Sequence, residues 1–334
     1  MTVEVLKPGL LTTLQDAGRP GFTHLGIGRA GAFDAPALRI ANALCGNPSD
    51  ACALEITLLG PTLRFRGDAW IAVTGAPIPF RINGADQPTW APVLVAAGTT
   101  VELGAMRSGC RSYLAVRGGI EVAPVLGSRG MDVNARLGPL GGRALRAGSA
   151  LEMGAGSFFN ENLRIRDNAE KNEPDPVSNW RLDPRPWFAE ETPARLRLLP
   201  GSHLDKLKET SHKLLFSEVF MVQADSNRAG LRLSGPTLEF RDPVEMVSEG
   251  CVPGTLQLPP SGQPIAFGPE CPVSGGYPRI GQIAVVDMPR LAQRRPGDAL
   301  RFTPCTFDDA LRALRERERA LARLETGIAA RLIA

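Results

Sequence analysis

Three stretches of the chain gather polar side chains between glycines. The first is Thr12-Thr13-Leu14-Gln15-Asp16-Ala17-Gly18-Arg19-Pro20-Gly21, which brings an amide (Gln15), a carboxylate (Asp16) and a guanidinium (Arg19) within five residues. The second runs from Ser248 and Glu249 through Cys251 and Gln257 to Pro264. The third is Ser274-Gly275-Gly276-Tyr277-Pro278-Arg279-Ile280. Consecutive glycines let backbone N–H groups converge on an anion or a developing oxyanion. Tyr277 and Arg279 beside them can orient an amide or a carboxylate. Tight turns with local side-chain hydrogen bonds account equally well for any one of these stretches alone.

Other chemistries are disfavoured by what the sequence lacks. Gly26-Ile27-Gly28-Arg29-Ala30-Gly31 has GxGxxG spacing, but a dinucleotide site needs a buried apolar strand just before it, and Arg19 to Leu25 is not one. These glycines read as loop positions that need positive φ. None of the five lysines follows a GxxxxG run, and there is no GxSxG elbow. The three histidines (24, 203, 212) have no paired spacing, and the six cysteines form no CxxC pair. No metal ligand set is expected, and the cysteines read as reduced, mostly buried small residues. The chain shows no self-sufficient catalytic apparatus.

The elements that must hold these residues are short. In 334 residues there are 36 glycines and 29 prolines, which favours many turns and a mainly β fold. Strands are expected at Trp70–Thr74, Val93–Val95, Thr99–Leu103 and Tyr113–Val116. A helix is expected from Asp34, with Leu38, Ala41 and Leu44 on one face and Gly46 closing it. A second is expected at the C-terminus, where Thr306 and Asp309 form a capping-box-like start. A net charge of +3 with no basic stripe argues against nucleic acid. The first residues lack a signal-peptide pattern and no apolar run nears the roughly 20 residues of a membrane span, so a cytoplasmic location is expected.

Length favours two domains. The stretch from Arg164 to Pro186 is dense in charge, Asn and Pro and reads as a linker. The expected division is a first domain over 1–160, a linker over 161–196 and a second domain with the C-terminal helix over 197–334. An internal repeat supports it. Leu58-Leu59-Gly60-Pro61-Thr62-Leu63-Arg64-Phe65 returns as Leu233-Ser234-Gly235-Pro236-Thr237-Leu238-Glu239-Phe240, with six identities in eight positions. Weaker echoes keep the same order: Arg29-Ala30-Gly31 with Arg228-Ala229-Gly230, Tyr113–Val116 with Gln282–Val285, and Gly148-Ser149-Ala150-Leu151 with Gly297-Asp298-Ala299-Leu300. A duplicated β domain follows, each copy a closed or nearly closed barrel, with an antiparallel sandwich as the alternative. Proteolysis within Arg164–Pro186 is then expected to release two folded fragments.

Longer motifs carry a family likeness. Pro8-Gly9-Leu10 through Gln15-Asp16-Ala17-Gly18-Arg19, Gly31-Ala32-Phe33-Asp34, Ala41 to Asn47, Leu54-Glu55-Ile56-Thr57 and Tyr113 to Ile120 mark the first half; Ser248–Pro264, Gly275–Pro278 and Pro296-Gly297-Asp298 mark the second. With these the chain resembles the C-type component of bacterial 5-oxoprolinase. That family is also called allophanate hydrolase subunit 2, urea-amidolyase-related, KipA-like or biotin-dependent carboxyltransferase. The resemblance implies tandem cyclophilin-like β-barrels, a B-type (KipI-like) partner and an A-type (LamB/YcsF-like) partner, and ATP-dependent hydrolysis of 5-oxoproline to glutamate. ATP would be bound by the complex, and biotin would enter only in a carboxyltransferase acting with a separate carrier chain. A regulatory protein that binds the KipI-like partner without catalysis is a third reading.

Under the leading reading, catalytic roles fall to Glu249, Gln257 and Tyr277. Gln15, Asp16, Arg19, Ser248, Gly275, Gly276 and Arg279 are expected to bind substrate. Glu249 would handle a proton, Gln257 would recognise the amide, and Gly275-Gly276 would cradle an oxyanion. In one place the chain departs from the family pattern of an Asp followed by Gln-Thr-Thr. Here the run is Ala266-Phe267-Gly268-Pro269-Glu270-Cys271-Pro272-Val273-Ser274, in which Glu270 is the candidate replacement for the Asp.

Overall fold

The computed structural model describes residues 1–154, 180–188 and 190–333. The chain divides into two compact units. The first comprises Met1–Gly18, Ala35–Phe188 and Ala320–Ala334, the second Arg19–Asp34 and Ala189–Arg319. Most of the expected linker lies outside the described residues, and the strand Ala194–Pro200 begins within its last part. No described helix is long and apolar enough to cross a membrane.

The first unit arranges its strands in two sheets. From edge to edge, the seven-stranded sheet takes Ile120–Glu121, Ala150–Met153, Thr2–Lys7, Thr62–Phe65, Thr100–Leu103, Phe80–Ile82 and Ala85–Asp86. The five-stranded sheet takes Leu11–Gln15, Ala53–Thr57, Arg111–Val116, Ala69–Gly75 and Pro92–Val95. All four strands expected from β-branched and aromatic runs are present. Helix α1 (Ala35–Leu44) packs on the strands Ala69–Gly75 and Arg111–Val116. Ala72 and Ala115, directly opposite one another, leave room for it. Thr74 Oγ1 donates to the α1 carbonyl of Ala37 at 2.7 Å, and Leu38, Ala41 and Leu44 are buried as the periodicity demands. Gly46 ends the helix at φ 68°.

The second unit is a closed barrel. Its seven strands run in the order Ala194–Pro200, Arg279–Ile283, Thr255–Gln257, Ile265–Phe267, Gly230–Ser234, Phe220–Val222 and Ala299–Pro304, which pairs in parallel with the first. Closure leaves no free edge in this sheet. Leu196, Leu198, Leu231, Leu256, Ile280 and Phe302 fill the interior. Helices α2 (Glu209–Ser217) and α3 (Met288–Ala292) belong to this unit, as does the long α4 (Phe307–Ile333) as far as Arg319. The hydroxyl of Thr306 accepts the Asp309 N–H at 3.2 Å, the cap expected from sequence. Of the four α-helices among the described residues, α1 and α4 are legible in the sequence; α2 carries just Ser211 and Leu215 as buried positions, too few to give a pattern.

The repeat is real at the level of hydrogen bonds in one pair of turns. In the first unit Gly148 (φ 83°) donates to Val5 O, Val5 N–H donates back to Ser149 O, and Ser149 Oγ receives the Arg146 N–H. In the second, Gly297 (φ 88°) donates to Val222 O, Val222 N–H to Asp298 O, and Asp298 Oδ2 receives the Arg295 N–H. The strongest sequence match is less faithful. Thr62–Phe65 is a strand, whereas in the second copy the strand ends at Ser234 and the matching residues follow as irregular chain.

The contiguous blocks read from sequence differ from these units by two short segments. Residues 19–34 sit with the second unit, where Arg228 Nη2 donates to Gly31 O at 2.6 Å, Gln293 Nε2 to Asp34 Oδ2 at 2.7 Å, and Ala30 N–H to Pro269 O at 3.1 Å. One expected outcome changes accordingly. If a protease site placed between residues 164 and 175 is cut, the two fragments should co-elute on size exclusion and separate only in denaturant. Free native fragments would contradict this division.

Candidate functional site

Within the second unit, the barrel strands Thr255–Gln257 and Arg279–Ile283 run side by side, with a bulge that sets Gln257 opposite Arg279. A bulge re-aims side chains next to it. A two-stranded ribbon, Glu249–Gly250 paired with Ser274–Gly275, stands apart from the barrel sheet. Cys251 N–H extends it by donating to Val273 O at 2.9 Å. Ribbon and barrel strands therefore collect Ser248, Glu249, Gln257, Gly275, Gly276, Tyr277 and Arg279 in one neighbourhood.

Contacts within this group are specific. Arg279 Nη2 and Glu249 Oε2 form an ion pair at 2.5 Å, with side chains 33% and 36% exposed. Arg279 Nη1 also donates to Gly250 O at 3.1 Å. Gln257 is buried, and its Nε2 donates to Tyr277 O at 3.2 Å and to Cys251 Sγ at 3.4 Å. The Tyr277 ring itself is on the surface, 45% exposed. Buried His203 accepts the Arg279 N–H on Nδ1 at 3.3 Å, so it braces the strand.

The glycines serve a different purpose from the one read in sequence. Neither Gly275 nor Gly276 has a positive φ, so they form no left-handed nest. Gly275 is required by close approach: a Cβ there would lie 2.6 Å from Gln257 Nε2 and 3.2 Å from Cys251 Sγ. At Gly276 the nearest atom to a built Cβ is Ser248 Oγ, at 3.8 Å.

Glu270 is likewise committed elsewhere. It forms a fully buried pair with Arg228, Nε to Oε1 2.5 Å, and its own N–H donates to Arg228 O at 3.1 Å. The acid of the diverged loop is thus a structural tie to the segment around Gly31 and is not offered to a ligand. In that segment Gly26 and Gly31 take φ of 79° and 89°, and no strand precedes them, which bears out the loop reading of the GxGxxG match.

Of the other expected binding residues, Arg19 belongs to the second unit and is 1% exposed, its N–H donating to Arg29 O at 2.8 Å. Gln15 and Asp16 belong to the first unit. Asp16 is an anchor: Oδ1 accepts from Gly18 N–H at 2.8 Å and Ser128 Oγ at 2.7 Å, and Oδ2 from Arg129 N–H at 2.6 Å. Three donors on one carboxylate explain its burial and hold it fixed in the loop. Gln15 Nε2 donates to Thr13 Oγ1 and Met131 O, while its buried Oε1 accepts from no described residue.

Sequence reasoning missed a second polar group in the first unit. Thr13 faces Glu55, Glu55 faces Tyr113 and Tyr113 faces Thr74 across four adjacent strands. Tyr113 Oη donates to Glu55 Oε2 at 2.7 Å, and Arg111 Nε lies 3.6 Å from Glu55 Oε1, all three residues buried. The available signal was a glutamate flanked by Leu54 and Ile56 within a strand.

Against known families, residues 25–304 match the carboxyltransferase domain, subdomains A and B. The chain belongs to this carboxyltransferase family. It is 36% identical to the C-type component of 5-oxoprolinase from Escherichia coli over 324 residues, covering 96% of this chain and 97% of that protein. The corresponding Haemophilus influenzae protein is 31% identical over 318 residues, covering 95% of each chain. Among solved structures, Kluyveromyces lactis urea amidolyase superposes with a TM-score of 0.84 at 27% identity, over 97% of this chain. The chain spans about a fifth of that enzyme, 20% of its length. Its mainly β fold is thus that of the family.

Proposed function

We propose that this carboxyltransferase-family chain is the C-type component of an ATP-dependent 5-oxoprolinase-type amide hydrolase. It acts in the cytoplasm with a B-type (KipI-like) and an A-type (LamB/YcsF-like) partner to open 5-oxoproline to glutamate. The observation that carries this reading is the end-to-end likeness to the E. coli protein, 96% of one chain against 97% of the other. That match runs end to end in both chains, whereas this chain spans only 20% of the length of urea amidolyase.

The ring amide of 5-oxoproline is unstrained and resonance-stabilised, so its carbonyl needs activation. ATP, bound by the complex, supplies that by phosphorylation. This chain's part is to hold the amide and manage protons. Glu249, oriented by Arg279, carries a proton between water and the leaving nitrogen. Gln257 recognises the amide, Tyr277 closes over it, and Ser248 with the Gly275-Gly276 backbone lines the approach.

The proposal is tested by co-expressing the tagged chain with candidate B-type and A-type proteins of the same organism and weighing the purified assembly by native mass spectrometry. A stable complex containing all three is expected. Recovery of this chain alone under all conditions would count against it.

A second reading is favoured by the family match and by the urea carboxylase neighbours, since Kluyveromyces lactis urea carboxylase also superposes at a TM-score of 0.84. In it the chain would be the carboxyltransferase component of a biotin-dependent amide carboxylase. That reading requires a biotinylated carrier among the co-purifying chains, detectable by streptavidin blot.

A further inference from the structure

Cys251 sits between the groups to which the proposed site assigns chemistry. It is 3% exposed. Its sulfur accepts from Gln257 Nε2 at 3.4 Å and its thiol donates to the backbone carbonyl of Glu249 at 3.5 Å. Burial raises the thiol pKa, Arg279 pulls it back and Glu249 pushes it up, so the group stays protonated near neutral pH and able to donate. The thiol thereby bridges Gln257 and the backbone of the residue that carries the carboxylate.

Tyr277 O and Cys251 Sγ together hold the direction of the Gln257 amide. A backbone carbonyl only accepts hydrogen bonds, so the NH2 end of Gln257 must face Tyr277 O. The second N–H of that group is taken by Cys251 Sγ. Both donors are spent on the protein, and among the described residues none donates to Oε1. Glycine at 275 completes the arrangement, because a Cβ would collide with this amide and crowd the sulfur. A valine offers no acceptor at that position and would leave one Gln257 N–H buried without a partner, with only the bond to Tyr277 O holding the amide.

We infer that Cys251 is a positioning residue that locks the Gln257 side chain with its carbonyl oxygen toward the ligand, so that the site selects substrates presenting an unsubstituted amide or lactam N–H. The inference rests on the proposed amide-hydrolase reading for the identity of the ligand, but the locking itself does not. A site built to accept an N–H rejects an analogue that lacks it far more strongly than a merely apolar pocket does.

Two measurements test it. In the assembled complex, wild type should consume 5-oxoproline at least about tenfold better than N-methyl-5-oxoproline, by kcat/KM. Cys251→Val should raise KM about fivefold, the effect of one lost hydrogen bond, with kcat less affected, and should shrink that discrimination. Cys251→Ser, which keeps a donor and an acceptor, should restore both to within about twofold. In the chain alone, the side-chain 15N–1H2 pair of Gln257, assigned by its loss in Gln257→Glu, should shift strongly in Cys251→Val and little in Cys251→Ser. An unmoved Gln257 signal, or equal discrimination in Cys251→Val and wild type, overturns the inference. A wild-type complex that turns over neither compound overturns the 5-oxoprolinase reading instead, and the Gln257 signal still decides the role of Cys251.

Discussion

Arg228→Ala should destabilise the second unit by about 3–5 kcal/mol, because it leaves the Glu270 carboxylate buried with its cation gone. The side chains of Arg228 and Glu270 are 3% and 0% exposed, so no solvent reaches the orphaned charge. The same substitution removes the donor to Gly31 O, loosening the hold on residues 19–34. In a thermal melt followed by circular dichroism, the midpoint should fall by on the order of 10 °C. The double replacement Arg228→Met with Glu270→Leu, which removes both charges at similar volume, should recover most of the loss. If Arg228→Ala melts with wild type, the pair is not the tie described here.

Glu249→Gln should behave in the opposite way, costing activity and sparing the fold. Its pair with Arg279 is about one-third exposed, and pairs that exposed contribute only about 0–1 kcal/mol. The melt should therefore shift by no more than a few degrees. A carboxylate that moves a proton in the rate-limiting step is worth roughly 10²–10⁴-fold, so turnover of the assembled complex should drop by at least about a hundredfold. Full turnover in Glu249→Gln would remove Glu249 from the proton path. Loss of assembly alongside loss of turnover would reassign it to the partner interface.

These two outcomes separate residues that look alike in sequence. Glu249 and Glu270 both lie in glycine-bearing loops beside cysteines, and nothing local distinguishes them. The difference comes from which arginine reaches each one, and both arginines are brought by chain pairings that spacing does not encode. Glu249 meets Arg279, thirty residues on, across a ribbon and a barrel bulge; Glu270 meets Arg228, 42 residues earlier, at the barrel rim. Strands with β-branched runs, the α1 helix with its small-residue bed and the Thr306 cap were legible because their causes are local. The membership of residues 19–34 in the second unit was not, since it depends on Arg228, Gln293 and Pro269.

The same holds for the glycines. Gly275 and Gly276 suggest an anion nest as a dipeptide, but the extended ribbon denies them the left-handed backbone that a nest requires, and Gly275 is instead the space into which the Gln257 amide fits. Cys251, legible only as a small buried residue, takes on meaning once its sulfur is seen against that amide. The polar loops themselves were visible in sequence, while the direction in which each side chain works was set by tertiary pairing.

Glutamate release is the most direct test of the proposed role. Purified B-type and A-type proteins are mixed with 5-oxoproline and ATP, with and without this chain. Release that appears only when the chain is present, with ADP formed in step, is the result expected. Equal release without the chain, or none from the full set of components, would contradict it.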